Sequence, residues 1–283
     1  MTFNVQPGYD TFQRLAAGGK IVPVHRRIMG DLLTPVSALQ RLRRQGEPAF
    51  LLESVEGGEK IARYSFLGCR PFLTVHSRNH RTLFQYGNGR SEEREGLFLE
   101  HLRQLFSGYH AVTLPDMPPF CGGAVGYLGY DLVRQFEELP YRAGDDLGLD
   151  DAVLMFFRTI LAFDHVRQQI WIISYAPVPD GSSTDLATAY DQAIGDIRFM
   201  EQRLLEDVSG TPAPSRPSGD TAADEIHSNF SRKEYQKAVL KAKDYIRAGD
   251  IFQVVLAQRF QCPFPAPPLD MYRALRAVNP SPY

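Results

Sequence analysis

Residues 152–176, AVLMFFRTILAFDHVRQQIWIISYA, decide the fold. The run Ala152–Asp164 is almost wholly apolar, and 169–176, QIWIISYA, is its β-branched and aromatic counterpart. His165-Val166-Arg167 lies between them as a polar turn. The stretch therefore predicts two antiparallel strands joined in a hairpin. Downstream, Thr184 reads as the N-cap of a long helix whose Tyr190, Ile194, Ile197, Met200 and Leu204 recur at three- and four-residue spacing. Upstream, Ala62–Ser77 and Thr82–Tyr86 read as paired strands, and Leu97–Phe106 as an amphipathic helix. Pro23–Ile28 and Ala49–Ser54 read as strands. Between those two, Thr34-Pro35 supplies a cap and a first-turn proline for a helix through Ala38, Leu39 and Leu42 that stops near Gly46. Strands in hairpins with helices interspersed predict an α+β protein, its antiparallel sheets packed together and flanked by helices.

Residues 208–228, VSGTPAPSRPSGDTAADEIHS, offer almost nothing apolar to bury and read as a linker. They divide a first domain, 1–207, from a second segment, 229–283. That segment opens on a capping box, Ser231 with Glu234. Tyr235, Ala238, Val239, Ala242, Tyr245 and Ile246 follow at helical spacing, Gly249 closes the helix, and Ile251–Phe260 reads as a strand. The helix and strand leave apolar surface for the rest of their domain to cover, which predicts aggregation or tight association of the 283-residue chain.

With 31 basic and 33 acidic residues, net charge −2, the chain has no field that would draw it to nucleic acid or an anionic membrane. Cys69, Cys121 and Cys262 form no C-x-x-C pair, which argues against a zinc site or a disulfide framework. No apolar run approaches the ~20 residues of a membrane span, and the N-terminus lacks a signal-peptide core. A reduced, cytoplasmic protein is expected.

Four segments could carry chemistry. Leu51-Leu-Glu-Ser54 is either a strand leaving the core or a strand end whose carboxylate and hydroxyl hold an amino-acid ligand. Cys121–Asp131 carries Gly123, Gly126 and Gly129 at every third position, without the spacing of a nucleotide-binding loop. Close sheet packing is its expected use. The acidic stretch from Glu137 to Asp151 lacks the spacing of a calcium loop and reads as solvated. Gln253 and Gln258 sit on an otherwise apolar run, so they mark either a binding face or an exposed edge. The seven histidines form no triad or zinc pattern.

Four strings together resemble the chorismate-utilising enzymes, and within them the anthranilate synthase component I family: 50–68 FLLESVEGGEKIARYSFLG, 122–137 GGAVGYLGYDLVRQFE, 247–260 RAGDIFQVVLAQRF and 279–283 NPSPY. The likeness runs from about residue 20 onward, with 229–283 resembling the start of the family's chorismate-binding domain. It implies conversion of chorismate and ammonia to anthranilate and pyruvate in tryptophan biosynthesis. Mg2+ would hold a substrate carboxylate, and a glutamine amidotransferase subunit would supply the ammonia.

The resemblance also implies a feedback site for L-tryptophan in which Glu53 and Ser54 meet the ligand's polar atoms. Pro282 and Tyr283 would form a wall, and Asn279 and Pro280 would support the turn. Lys60 and Arg63-Tyr64-Ser65 are further candidates. Gln253 matches the position where isochorismate-forming relatives carry a lysine base. Neutral ammonia needs no such base, so glutamine favours amination over hydration. The family's magnesium-binding glutamates and catalytic histidine lie downstream of the N-P-S-P-Y string, so no catalytic or metal-ligating residue is expected among these 283, which are read as an N-terminal part inactive alone. Aminodeoxychorismate synthase component I and a non-catalytic tryptophan-binding module are the competing readings.

Overall fold

The computed structural model describes residues 4–17, 21–44, 46–53, 63–140, 144–178, 183–206, 226–264 and 266–279. It divides at Ser209–Gly210 into two compact units. The first unit begins with helix α1, Tyr9–Ala16, strand β1, Ile21–Met29, and helix α2, Pro35–Leu42. Thr34 and Ser37 cap α2 reciprocally, each side chain accepting from the other's backbone N–H, and Pro35 opens the first turn. The helix ends at Leu42, ahead of Gly46, because Arg43 already adopts extended backbone.

Strands β2 (Ala49–Glu53), β3 (Tyr64–Cys69), β4 (Leu73–Arg78), β5 (Arg81–Tyr86) and β6 (Ser91–Glu95) follow, then helix α3 (Phe98–Ser107). After β7 (Gly123–Leu128) and a 3-10 turn over Tyr130–Gln135 come β8 (Ala152–Phe157), β9 (Thr159–Asp164), β10 (Gln169–Pro177) and helix α4 (Ser183–Leu205). One antiparallel sheet has the order β1-β10-β9-β3-β2, the other β6-β5-β4-β8-β7. The hairpin expected at 165–168 is present: Gln169 pairs with Asp164 and Ile172 with Leu161.

The expected single strand over 152–164 is instead two. β8 belongs to the second sheet and β9 to the first, with the break at Arg158. An uninterrupted apolar run cannot report this, because both halves are buried and both are β-formers. The same switch divides the strand expected over 62–77. Arg70, at φ 58, and Pro71 separate β3 in the first sheet from β4 in the second. Thr184, read as a cap, falls one residue inside α4.

Three packing interfaces result. Phe50, Phe66, Ile160, Ala162, Trp171 and Ile173 on the inner face of the first sheet meet Phe157, Met155 and Val125 of the second. The outer face of the first sheet carries Val22, Val24, Leu67, Leu161 and Ile172. It is covered by α4, which buries Tyr190, Ala193, Ile197, Met200 and Leu204 and ties Glu201 to Arg26 at 2.8 Å. On the far side of the second sheet, Phe98 and Leu102 of α3 pack on Leu73, Val75, Phe84 and Phe156. The first unit is thus an α+β fold with antiparallel sheets and flanking helices.

Between the sheets, the His25 ring lies 5.0 Å from Trp171. Burial, and then the neighbouring Arg27 charge, lower its pKa from 6.5 to about 4. The unfolded chain therefore binds this proton first as pH falls, so stability is complete above pH 6.5 and declines from there toward pH 4. The denaturant midpoint is expected to drop across that window, and less steeply in His25→Phe. An unchanged pH slope in the variant would remove His25 as the cause.

The second unit contains β11 (His227–Ser228), helix α5 (Arg232–Ala248), β12 (Phe260–Gln261) and helix α6 (Pro268–Val278). The Ser231–Glu234 capping box forms in both directions, and Gly249 closes α5 in the left-handed conformation at φ 81. The strand expected over 251–260 does not form. Only Phe260–Gln261 is a strand, paired with His227–Ser228. A strand exists through its ladder, and among the described residues no strand lies beside 251–259, where the Asn229 N–H donates to the Arg259 carbonyl at 3.2 Å; Phe252 is 94% exposed. α5 buries only Ala242, and Val239, Leu240, Tyr245 and Ile246 stay exposed, as do Met271, Leu275 and Val278 of α6.

Candidate functional site

Leu51, Leu52 and Glu53 form the end of β2 in the first sheet. Alternation along β2 puts Leu51 and Glu53 on its helix-facing side and Phe50 and Leu52 against the second sheet. Glu53 is therefore buried, at 5% exposure, rather than solvated. It stands in register with Ser65 of β3, itself buried, and Ser65 is in register with Phe163 of β9. The Ser65 hydroxyl lies 2.8 Å from His165 Nε2. A buried carboxylate at this strand end can accept an ammonium, which is one part of the chemistry of amino-acid recognition.

The neighbouring run is built as rigidly. Arg63 donates from Nε and one terminal nitrogen to Asp164, at 3.2 and 2.7 Å. Asp164 Oδ1 also accepts from the Val166 and Arg167 backbones, which closes the hairpin turn. Burial works to raise the Asp164 pKa, but the Arg63 hydrogen bond and the turn amides outweigh it and hold the carboxyl below its ordinary range. The guanidinium of Arg63 also sits 4.9 Å over the Tyr64 ring, whose hydroxyl is pushed up chiefly by burial.

Of the residues singled out in the sequence, Glu53 and Ser65 share the helix-facing side of the first sheet, whereas Tyr64, under Arg63, lies on the opposite face against Phe66. Asp164 joins Arg63 and His165 joins Ser65, although only the polar turn after β9 could have pointed to them. Ser54, Lys60, Pro280, Pro282 and Tyr283 lie outside the described residues. Asn279 ends α6, its backbone N–H donating to the Leu275 carbonyl at 2.8 Å. Gln253 is exposed and lies on irregular backbone, so the expected active-site strand is not its setting. Gln258 donates to the Ser228 hydroxyl at 2.8 Å.

The glycine stretch is used for close packing. A Cβ on Gly126 would run into the Val153 carbonyl of the paired strand, and one on Gly122 into the Tyr175 ring. The acidic stretch is exposed but anchored: Asp145 accepts from Arg78 at 2.8 Å, Asp150 contacts His76 at 2.9 Å, and Asp151 caps the Asn79 amide at 3.0 Å. Among the described residues no group of three His, Cys, Asp or Glu side chains could hold a metal ion. Nor is any described helix long and apolar enough to cross a membrane.

Comparison with known proteins places this arrangement in context. The chain is 40% identical to anthranilate synthase component 1 of Acetivibrio thermocellus over 279 residues, 98% of this chain and 56% of that protein. It is 37% identical to the Synechocystis protein of the same name over 284 residues, again 56% of the relative. The chain thus spans about half the length of the curated relatives it matches. The crystal structure of anthranilate synthase component I from Streptococcus pneumoniae TIGR4 superposes with a TM-score of 0.55 at 29% identity, over 90% of this chain and 53% of that one. A family model described as chorismate binding enzyme matches residues 47–283. With a match over that much of its length, the chain belongs to the chorismate-binding enzyme family.

Proposed function

We propose that this chain is part of component I of an anthranilate synthase, a cytoplasmic lyase of tryptophan biosynthesis that turns chorismate and ammonia into anthranilate and pyruvate. The observation that carries the reading is the 40% identity over 98% of the chain to a protein bearing that name. A glutamine amidotransferase subunit is the proposed ammonia source. Residues 1–207 would form the N-terminal domain, 208–228 a linker and 229–283 the opening of the chorismate-binding domain.

The residues described here do not themselves fit a Mg2+ site, since no three ligand-type side chains cluster. Magnesium is accordingly proposed to bind through other residues of the whole protein. Gln253 carries a neutral amide, which cannot activate water as a base; this suits attack by ammonia, already a nucleophile. At the β2 end, Glu53 and Ser54 are proposed to take the tryptophan ammonium and its polar neighbours, with Asn279, Pro280, Pro282 and Tyr283 completing the pocket. Tryptophan bound there inhibits by favouring one of two arrangements of the protein.

Anthranilate fluorescence with chorismate, ammonium and Mg2+ tests the reading. Turnover is expected from a protein of the relatives' full length and none from these 283 residues alone. Turnover by the 283-residue chain would overturn the division of labour. A 4-amino-4-deoxychorismate product would transfer the full-length protein to the aminodeoxychorismate synthases.

A further inference from the structure

A cavity of about 260 Å3 opens where the two sheets of the first unit meet, at the end of β9 away from Glu53. Glu53 stands in register with Ser65 and Phe163, whereas Arg158 precedes β9, five residues earlier than Phe163. At 3.4 Å per residue the two places are about 17 Å apart along the strand. Phe106, Tyr109, Phe156 and Tyr175 contribute aromatic walls, Ala111 and Gly122 lie along the sides, and Arg158 is the cavity's one basic residue. Tyr175 can approach Gly122 this closely because no side chain stands there; a Cβ would strike its ring.

Arg158 is an unusual residue to find at this place. The chain leaves the second sheet at Phe157 and enters the first at Thr159, so Arg158 is left at the crossing, half-buried, its carbonyl accepting from the Tyr175 amide at 2.9 Å. Its charge reaches Tyr109 and Asp196 of α4. Among the described residues, however, it closes no ion pair. A partly desolvated cation without a paired anion is costly, and a bound carboxylate would offset that cost.

Size narrows the choice of ligand. An apolar cavity of about 150 Å3 accepts benzene, and typical pockets for larger ligands begin near 300 Å3. The volume here admits one six-membered ring with a short acidic arm. Aromatic walls favour a planar ring over a branched aliphatic one through offset and edge contacts. We propose that this cavity is a small-molecule site, separate from the β2 end, that binds a planar aromatic monocarboxylate with its ring among Phe106, Phe156 and Tyr175 and its carboxylate on Arg158.

Titration of the 283-residue chain with benzoate and with the neutral analogue benzyl alcohol, followed by ligand-observed NMR, tests this. Benzoate is expected to bind about tenfold or more tightly than the alcohol. Arg158→Gln should abolish that difference and leave the alcohol's affinity within about twofold, while Arg158→Lys retains part of it. Asp196→Asn, which removes a carboxylate whose charge interacts with Arg158, should strengthen benzoate binding. Ala111→Phe, a change on an exposed segment that fills the cavity, should weaken both probes about tenfold, with the melting temperature confirming that the variant is folded. Binding of neither probe by the wild type sinks the proposal. So does equal affinity for the two, benzoate binding untouched by both Arg158→Gln and Ala111→Phe, or displacement of benzoate by tryptophan.

Discussion

Glu53→Gln is expected to weaken tryptophan inhibition of the full-length protein by about ten- to a hundredfold while leaving kcat without inhibitor nearly unchanged. The carboxylate is buried at the end of β2 beside Ser65, so an ammonium arriving there would meet a charge that water screens poorly. Charge-assisted hydrogen bonds of this kind contribute roughly 1.5–3 kcal/mol, which corresponds to that range of affinity. Glutamine keeps the shape and the hydrogen-bonding oxygen and removes only the charge, so packing around β2 is preserved. Calorimetric titration with tryptophan, alongside the inhibition curve, separates lost binding from lost communication. Unaltered affinity in a folded Glu53→Gln protein would remove Glu53 from the ligand site. Ser65→Ala is a useful companion, because that hydroxyl is already held by His165 and the proposal does not place it on the ligand.

Gly126→Ala should destabilise the first unit by about 3 kcal/mol or more, a loss that belongs to backbone clash rather than to ordinary surface substitution. Among the described residues β7 is at the edge of the second sheet and pairs only with β8, Gly126 standing opposite Leu154. A methyl group at that position meets the Val153 carbonyl, which is backbone and cannot rotate away. The strand must peel off, and its ladder and its packing by Val125 against the inter-sheet core go with it. Gly144→Ala is the control. Nothing lies within 4 Å of a Cβ built there, so its effect should stay within about 0.5 kcal/mol. Urea unfolding of the three proteins decides the matter. Equal midpoints for Gly126→Ala and Gly144→Ala would show that β7 is not held by this close approach.

Much of the candidate site was legible in the chain. The L-L-E-S string marked Glu53, and the alternation of β2 was enough to predict that Leu51 and Glu53 share a face. What no local pattern revealed was that this face is the buried one. That depends on α4 and α2 covering the first sheet, and on β3 lying beside β2 so that Ser65 stands opposite Glu53. His165 and Asp164 lie a hundred residues beyond Ser65 and Arg63, and only the ladder between β3 and β9 brings them together. The reading of 251–260 as a strand fails for the complementary reason. Its residues have the composition of a strand, but composition cannot supply a ladder partner.

The sequence by itself determined the features whose physics is complete within a few residues. These are the Thr34–Ser37 and Ser231–Glu234 caps, the left-handed stop at Gly249, the apolar stripe of α4 and the hairpin after Asp164. Each depends on hydrogen bonds or side-chain spacing within about one turn of chain, so neighbouring residues suffice to specify it. Tertiary structure alone decided where one apolar run divides between two sheets, at Arg158 and again at Arg70-Pro71. It alone decided which face of β2 is covered, and that a basic side chain borders an aromatic cavity. Those outcomes come from pairing strands far apart in the chain, where the gain is packing against a surface that does not exist until the whole unit has closed.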